Sequence, residues 1–281
     1  MRLWSKNHEI NFFKFAKSQT SRRNLFHKTL NEEYIAYPTK DIKTTSNLHI
    51  RDLLFDSFSK NWFYDLLNNL VDDFEVIKNP RITSIGKNSP DFVISSKKSK
   101  ILSPEDVKVI FILKLSIVWN WKYNLSLGSV EEIGDYRTHL AKPSFTSSAN
   151  IFNSIDNALK IRFTNKKASN IPIIVIGNTP MSCGFCRRAD YLKSSGIIQG
   201  FWSVNPFPIN GATRKTSKKR AFYRFDNSDE FKNSLDKLIN HDLKFISTMK
   251  SKKDLGKIID LVNTENTPEN IASKFINILN S

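Results

Sequence analysis

The chain has 281 residues, with 43 basic against 27 acidic for a formal charge of +16, and 40% of it is hydrophobic, including 21 Phe and 5 Trp. So much apolar material can offset the ordering entropy of one generous domain or two small ones, which excludes a fibre, a small disulfide scaffold and a disordered tail. The charge points to an anionic polymer as partner, and no run approaches the ~18 apolar residues of a spanning helix. A charged opening, Met1 to Lys6, with no apolar stretch behind it predicts a cytoplasmic chain.

Residues 1–49 read as a basic N-terminal arm, dotted with Ser, Thr and Asn, with one weakly periodic stretch from Ile10 to Ala16 and the pair Arg22-Arg23. From Ile50 to Phe74, Leu53, Leu54, Phe58, Phe63, Leu66, Leu67, Leu70 and Val71 recur at three- and four-residue intervals, predicting an amphipathic helix with a break near Asn61. Strand-like runs follow at Phe74 to Ile77, Arg81 to Gly86 and Asp91 to Ser95. After a Lys/Ser turn comes a nearly continuous apolar run, Val107 to Val118, the pattern of a central buried strand. Helices are expected at Val130 to Leu140 and Ser147 to Ile161, then a buried strand at Ile171 to Asn178. A helix at Arg188 to Ser194, a strand at Gly196 to Val204, a Pro/Gly-bounded loop and the basic run Arg214 to Arg220 come next. Helical stretches at Ser228 to Ile239 and Leu255 to Leu279 close the chain. Strands, a long helix and a further strand make an α/β core over residues 50–204. Residues 205–281 form a basic loop and C-terminal helical extension of the same domain.

Two segments carry chemistry. In Asn88-Ser89-Pro90-Asp91-Phe92-Val93-Ile94 a carboxylate opens one strand, and in Val109-Ile110-Phe111-Ile112-Leu113-Lys114-Leu115-Ser116 a lysine interrupts another. Desolvating an ammonium is costly unless an anion compensates, so Lys114 is expected to face a carboxylate, a metal site or a phosphate.

With these residues the chain resembles the PD-(D/E)xK nucleases, and among them the type II restriction endonucleases, over roughly Ile50 to Met181. The resemblance implies a restriction-endonuclease-like core, a central mixed β-sheet flanked by helices, and Mg²⁺-dependent hydrolysis of double-stranded DNA. It also implies a homodimer and a functional pairing with a DNA methyltransferase. The family's acid two residues before the lysine falls on Ile112, which cannot bind a cation. One branch of these enzymes carries the acid on the helix after the lysine strand, and Lys114-Leu115-Ser116-Ile117 is similar to its Lys-x-Ser/Thr-Ile. Candidate replacements are then Glu131, Glu132, Asp135 and Asp156, so the implied metal set is Asp91 with Glu131 or Asp156, and Glu75 at an outer position. Catalysis would rest on Asp91, Lys114 and one of Glu131, Glu132 or Asp156. That branch reads its target from an Arg-rich turn, here Val118-Trp119-Asn120-Trp121-Lys122, so no shared target sequence is implied.

Simpler roles exist for the same residues. Asp91 after Pro90 suits a turn, Glu131 and Glu132 suit a helix's first turn, and Asp156 suits a solvated face. Trp119 and Trp121, with Asn120 between and Lys122 beyond them, fit either core packing or base stacking. Arg214, Lys215, Lys218, Lys219 and Arg220, with Arg22 and Arg23, are the expected phosphate contacts. Cys183 and Cys186 lack two further zinc ligands nearby and read as reduced thiols. A non-catalytic DNA-binding protein on the same scaffold, and a repair or junction nuclease, are the rival expectations.

Overall fold

A computed structural model describes residues 2–39, 48–83, 90–164, 171–209, 214–240 and 252–280. Along the chain run α1 (Lys6–Gln19), β1 (His27–Lys28), β2 (Tyr34–Ile35), α2 (His49–Asn68), β3 (Glu75–Lys78), β4 (Arg81–Ile82), β5 (Phe92–Ser95) and β6 (Ile101–Leu102). After them come β7 (Val107–Lys114), β8 (Asn120–Asn124), β9 (Ser129–Gly134), α3 (Ser148–Thr164), β10 (Ile173–Gly177), α4 (Cys183–Ser194) and β11 (Gly200–Ser203). The last elements are β12 (Phe222–Arg224), α5 (Ser228–Asn240), α6 (Lys252–Val262) and α7 (Pro268–Asn280).

The apolar runs that lack polar alternation become the strands buried on both faces, β7 and β10. They lie side by side in a six-stranded sheet of order β12-β11-β10-β7-β5-β3, antiparallel from β3 to β7 and parallel from β7 to β12. The fold is therefore α/β, with a mixed central sheet flanked by helices. On one face Phe63 of α2 and Phe231 of α5 pack with Phe92, Phe111 and Trp202; on the other, Ala158 and Ile161 of α3 and Ala189 of α4 pack with Val93, Ile110 and Val175. Among the described residues no helix is long and apolar enough to cross a membrane.

Register fixes what meets at the sheet's edge. Lys114 pairs with Gly177, Gly177 with Ser203 and Ser203 with Arg224, so the carboxyl ends of four parallel strands line up. Because β5 runs the other way, with Phe92 opposite Phe111, Asp91 at its start falls on the same edge.

Several expectations give way. Residues 129–134 form a strand, not a helix: Val130 and Ile133, three apart, mimic helical spacing, but Asn124 and Gly128 build a hairpin turn that pairs β9 with β8. These strands join β1 and β2 in a second, antiparallel sheet of order β1-β2-β8-β9. The N-terminal segment is no separate arm, since Trp4, Phe12, Phe13 and Ala16 are buried in the main core. No break interrupts α2 at Asn61, where Trp62 and Phe63 are both packed inward. Ser182 caps α4 and starts it five residues earlier than expected, and the final helical stretch is two helices, α7 beginning at Pro268. Residues 84–86 of the expected second strand, with Asn88 and Ser89, lie outside the described residues.

Candidate functional site

Asp91 is held from three sides. Its carbonyl accepts the N–H of Asn79 at 2.8 Å, its Oδ2 accepts the N–H of Leu113 at 2.8 Å, and its Oδ1 lies 3.1 Å from the ammonium of Lys60 on α2. The bond to Leu113 places the carboxylate against the residue that precedes Lys114. Lys114 is half-buried at the end of β7 and makes no ion pair among the described residues. Ile112, where the resemblance called for an acid, is 3% exposed and packs into the core on the α3 side.

Sequence reasoning passed over α2 as a source of site residues. Asp52, Asp56 and Lys60 stand four apart and so share one stripe of that helix. The Lys60 ammonium lies 2.9 Å from Asp56 Oδ2 as well as 3.1 Å from Asp91 Oδ1, bridging the two carboxylates. Burial works to lower the Lys60 ammonium's pKa, but hydrogen bonds and charge from Asp56 and Asp91 outweigh it and hold it above the ordinary lysine range. In sequence an Asp and a Lys at i,i+4 look like any solvated helix pair; only strand β5 arriving beside them reveals the second carboxylate.

Next to Asp56 a cavity of about 240 Å³ is lined by Tyr37, Arg51, Asp52, Ser116, Ile117 and Lys142, among others. Its floor is stiffened by a polar network. Ser116 N–H donates to Asn178 Oδ1 (3.1 Å), Asn178 Nδ2 returns a bond to the Ser116 carbonyl (2.8 Å), and Ser144 N–H donates to Ser116 Oγ (2.9 Å). Gly177 leaves the room this needs, because a Cβ there would stand 2.6 Å from Phe145 and from Ser144 Oγ. A larger cleft, about 520 Å³, lies farther along the same edge between Arg2, Lys6, Trp119, Phe207 and Asn227. Neither cavity is lined by Asp91 or Lys114; the smaller one reaches the pair only through Asp56 and Leu115.

The remaining candidates are dispersed. Glu131 and Glu132 sit on β9 of the second sheet, Glu131 opposite Lys122 and Glu132 paired to Lys6 at 2.6 Å, so neither meets Asp91. Asp135 is clamped by Arg137 at 2.7 Å. Asp156 faces solvent on α3 and pairs with Lys160 at 2.5 Å. Glu75 is on β3, opposite Ser95, roughly 10 Å along the ladder from the end that holds Asp91. The helix expected to bring a relocated acid is replaced by the β8–β9 hairpin, which carries its acids elsewhere. Among the described residues no group of three or more His, Cys, Asp or Glu is placed to hold a metal. Mg²⁺, however, is usually held by one or two carboxylates, its other positions being filled by water and substrate phosphate. Asp56 and Asp91 meet that count.

Of the expected DNA contacts, Trp119 and Trp121 are 2% and 1% exposed, their rings committed to the core and not open to stacking on bases. Lys122 is tied to Glu33 at 2.6 Å. Arg22 lies over the Tyr34 ring and, like Arg23, is exposed. The basic run is split by its path along β12. Lys215 is tied to Asp226 and Glu230 near the edge that carries Lys114, and these carboxylates hold its ammonium above the usual range. Exposed Lys218, Lys219 and Arg220 precede β12 and so lie toward the opposite edge, where the backbones of Lys219 and Arg220 contact Lys193 of α4. Arg214 is exposed beside Cys186 and opposes the burial that raises that thiol's pKa.

Both cysteines are free, Cys183 exposed and Cys186 buried in the first turn of α4. Iodoacetamide at neutral pH is expected to alkylate Cys183 alone, with Cys186 reacting only after urea is added; mass spectrometry of the digested protein reads this directly.

Comparison with protein-family models, with curated proteins and with solved structures finds no match to this chain.

Proposed function

We propose that the protein is a Mg²⁺-dependent endonuclease of double-stranded DNA, of the restriction type, on a restriction-endonuclease-like core running from α2 to β10. The observation that carries this reading is the contact between Asp91 and the N–H of Leu113, which sets a carboxylate against the residue before Lys114 where two antiparallel strands meet. Its support is the order of the elements that build the central sheet, leaving out the strands of the two smaller sheets: helix, three antiparallel strands, helix, and a strand parallel to the third. A charge of +16 matches a polyanionic substrate. The restriction type carries with it a homodimer, one site per strand of a symmetric target, and a methyltransferase that protects the host's DNA.

In this chemistry Asp91 and Asp56 would hold the Mg²⁺, which when bound polarises the scissile phosphate and acidifies a water. Lys114, with no carboxylate partner among the described residues, keeps its ammonium available to orient the attacking water and to offset charge growing on the phosphate. Lys142, exposed at the rim of the cavity beside Asp56, supplies a phosphate contact. Incubation of the purified protein with long duplex DNA, with Mg²⁺ and with EDTA, tests the reading: discrete fragments in Mg²⁺ alone are expected.

A second reading, a non-catalytic DNA-binding protein, is favoured by one observation, the Lys60 ammonium standing between the two carboxylates. DNA binding with no cleavage in either Mg²⁺ or Mn²⁺ would select it.

DNA bound at the edge that holds Lys114 makes a further prediction. Lys142→Ala is expected to flatten the dependence of log K on log salt by about 0.9, the increment of one phosphate contact. The double variant Lys218→Ala, Lys219→Ala, altered at the far end of β12, is expected to leave the slope unchanged. Fluorescence anisotropy across a salt series measures both.

A further inference from the structure

Two aspartates from separate elements converge on one lysine. Asp56 and Lys60 stand one turn apart on α2, Asp91 opens β5, and the ammonium lies 2.9 and 3.1 Å from the two carboxylates. Lys60's side chain is only 19% exposed, whereas an ordinary surface lysine keeps its head in water. Asp91 cannot turn away easily, since its other oxygen is held by Leu113 N–H. At most the sum of the two ion-pair distances separates the carboxylate oxygens. A divalent ion drawing both to about 2.1 Å would need the place the ammonium fills. Two cations cannot share it.

We propose that Lys60 is a tethered counter-ion: in the metal-free protein its ammonium neutralises Asp56 and Asp91, and a divalent metal binds by displacing it. This rests on the metal site of the proposed function. Without the lysine two carboxylates would repel each other at the end of α2's acidic stripe; with it they are held together, at the expense of metal affinity. Four methylenes let the head swing out while the stem stays packed, and a DNA phosphate offers the released ammonium a new anion. Metal and DNA then assist one another, because each favours the state in which Lys60 has let go of the carboxylates, and such coupling is reciprocal.

Titration calorimetry with Mn²⁺ alone, on the full chain without DNA, tests this. Lys60→Met removes the charge and keeps the length, and is expected to bind Mn²⁺ at least about tenfold more tightly than wild type, an affinity that Asp91→Asn on top of it abolishes. Equal affinities, or no Mn²⁺ binding by Lys60→Met, would overturn the proposal. A measurement on the unaltered protein stands beside it in case the variant does not fold. Acetylation of Lys60 by an N-hydroxysuccinimide ester, read by mass spectrometry, should quicken several-fold when Ca²⁺ is added, and an unchanged rate again overturns it. The two readings fail separately. Tight Mn²⁺ binding by Lys60→Met with no cleavage of DNA by wild type keeps the counter-ion and removes the nuclease. Asp91-dependent cleavage with unchanged Mn²⁺ affinity in Lys60→Met does the reverse.

Discussion

Glu9→Ala is expected to destabilise the protein by about 3–5 kcal/mol, because it leaves several buried donors without an acceptor at roughly 1–3 kcal/mol each. Glu9 is fully buried on α1, yet it is not idle. Its Oε1 accepts the N–H of Val118 at 2.6 Å and, weakly, the indole N–H of Trp4 at 3.4 Å; its Oε2 accepts the indole N–H of Trp121 at 2.7 Å and the backbone N–H of Trp119 at 3.2 Å. One side chain thus fastens the first helix to the segment between β7 and β8. Burial pushes its carboxyl up to about 8, against the pull of those donors. A folded pKa above the unfolded one means that unfolding releases a proton at intermediate pH. The protonated carboxyl's contribution is therefore complete below about 4.5 and is lost as pH rises through about 8. Urea unfolding followed by tryptophan fluorescence at pH 5 and pH 8 is expected to show the wild type losing stability between them. Glu9→Ala should be weaker at both and lack that part of the slope.

Replacing Lys114 should affect function as strongly as replacing Glu9 affects the fold. On the proposed chemistry Lys114→Ala lowers the rate of DNA cleavage by about 10²–10³-fold, the usual consequence of removing one preorganised group that stabilises transition-state charge. Duplex binding should change by only a few-fold, since one phosphate contact among many is lost. Asp91→Asn is the companion variant, because an amide oxygen still accepts Leu113 N–H and spares the strand ends while removing the charge that a metal needs. Single-turnover cleavage in Mg²⁺, beside anisotropy titrations in Ca²⁺, separates the two effects. Loss of binding in step with loss of cleavage would assign Lys114 to holding DNA, not to the reaction.

The strands of the central sheet were legible because burial on both faces demands uninterrupted apolar runs, and Val109 to Leu113 and Ile173 to Ile176 supply them. Hidden features share one property: a polar residue stands where the pattern needs an apolar one, or an apolar spacing fits two periods. Helix α1 buries positions 9, 12, 13 and 16, a regular helical stripe, but the first of these is Glu9, so the stripe reads as beginning late and the segment as a solvated arm. In β9 only Val130 and Ile133 are apolar, and the acids between them suit an exposed strand as well as a helix. Asp91 and Lys114 were found from their flanking residues. Their neighbours Asp56 and Lys60 were not, since the feature that sets them apart is the approach of β5, which no local pattern on α2 records.

The attachment of α1 has a consequence for how the chain is made. Trp4 N–H donates to the carbonyl of Val204 in the loop after β11, and Glu9 waits for residues 118–121. At roughly 5–20 residues per second the ribosome needs about 10–40 s to pass from the first of these partners to the last. Phe26, Phe55 and Trp62, on which Phe13, Phe12 and Trp4 pack, are made within the first third of that interval, but the bonds to residues 118–121 and 204 come later, so α1 meets its helix partner well before it is fastened to the sheet. The nascent chain can thus hold an aromatic helix pair whose remaining apolar surface is covered only when the later strands arrive.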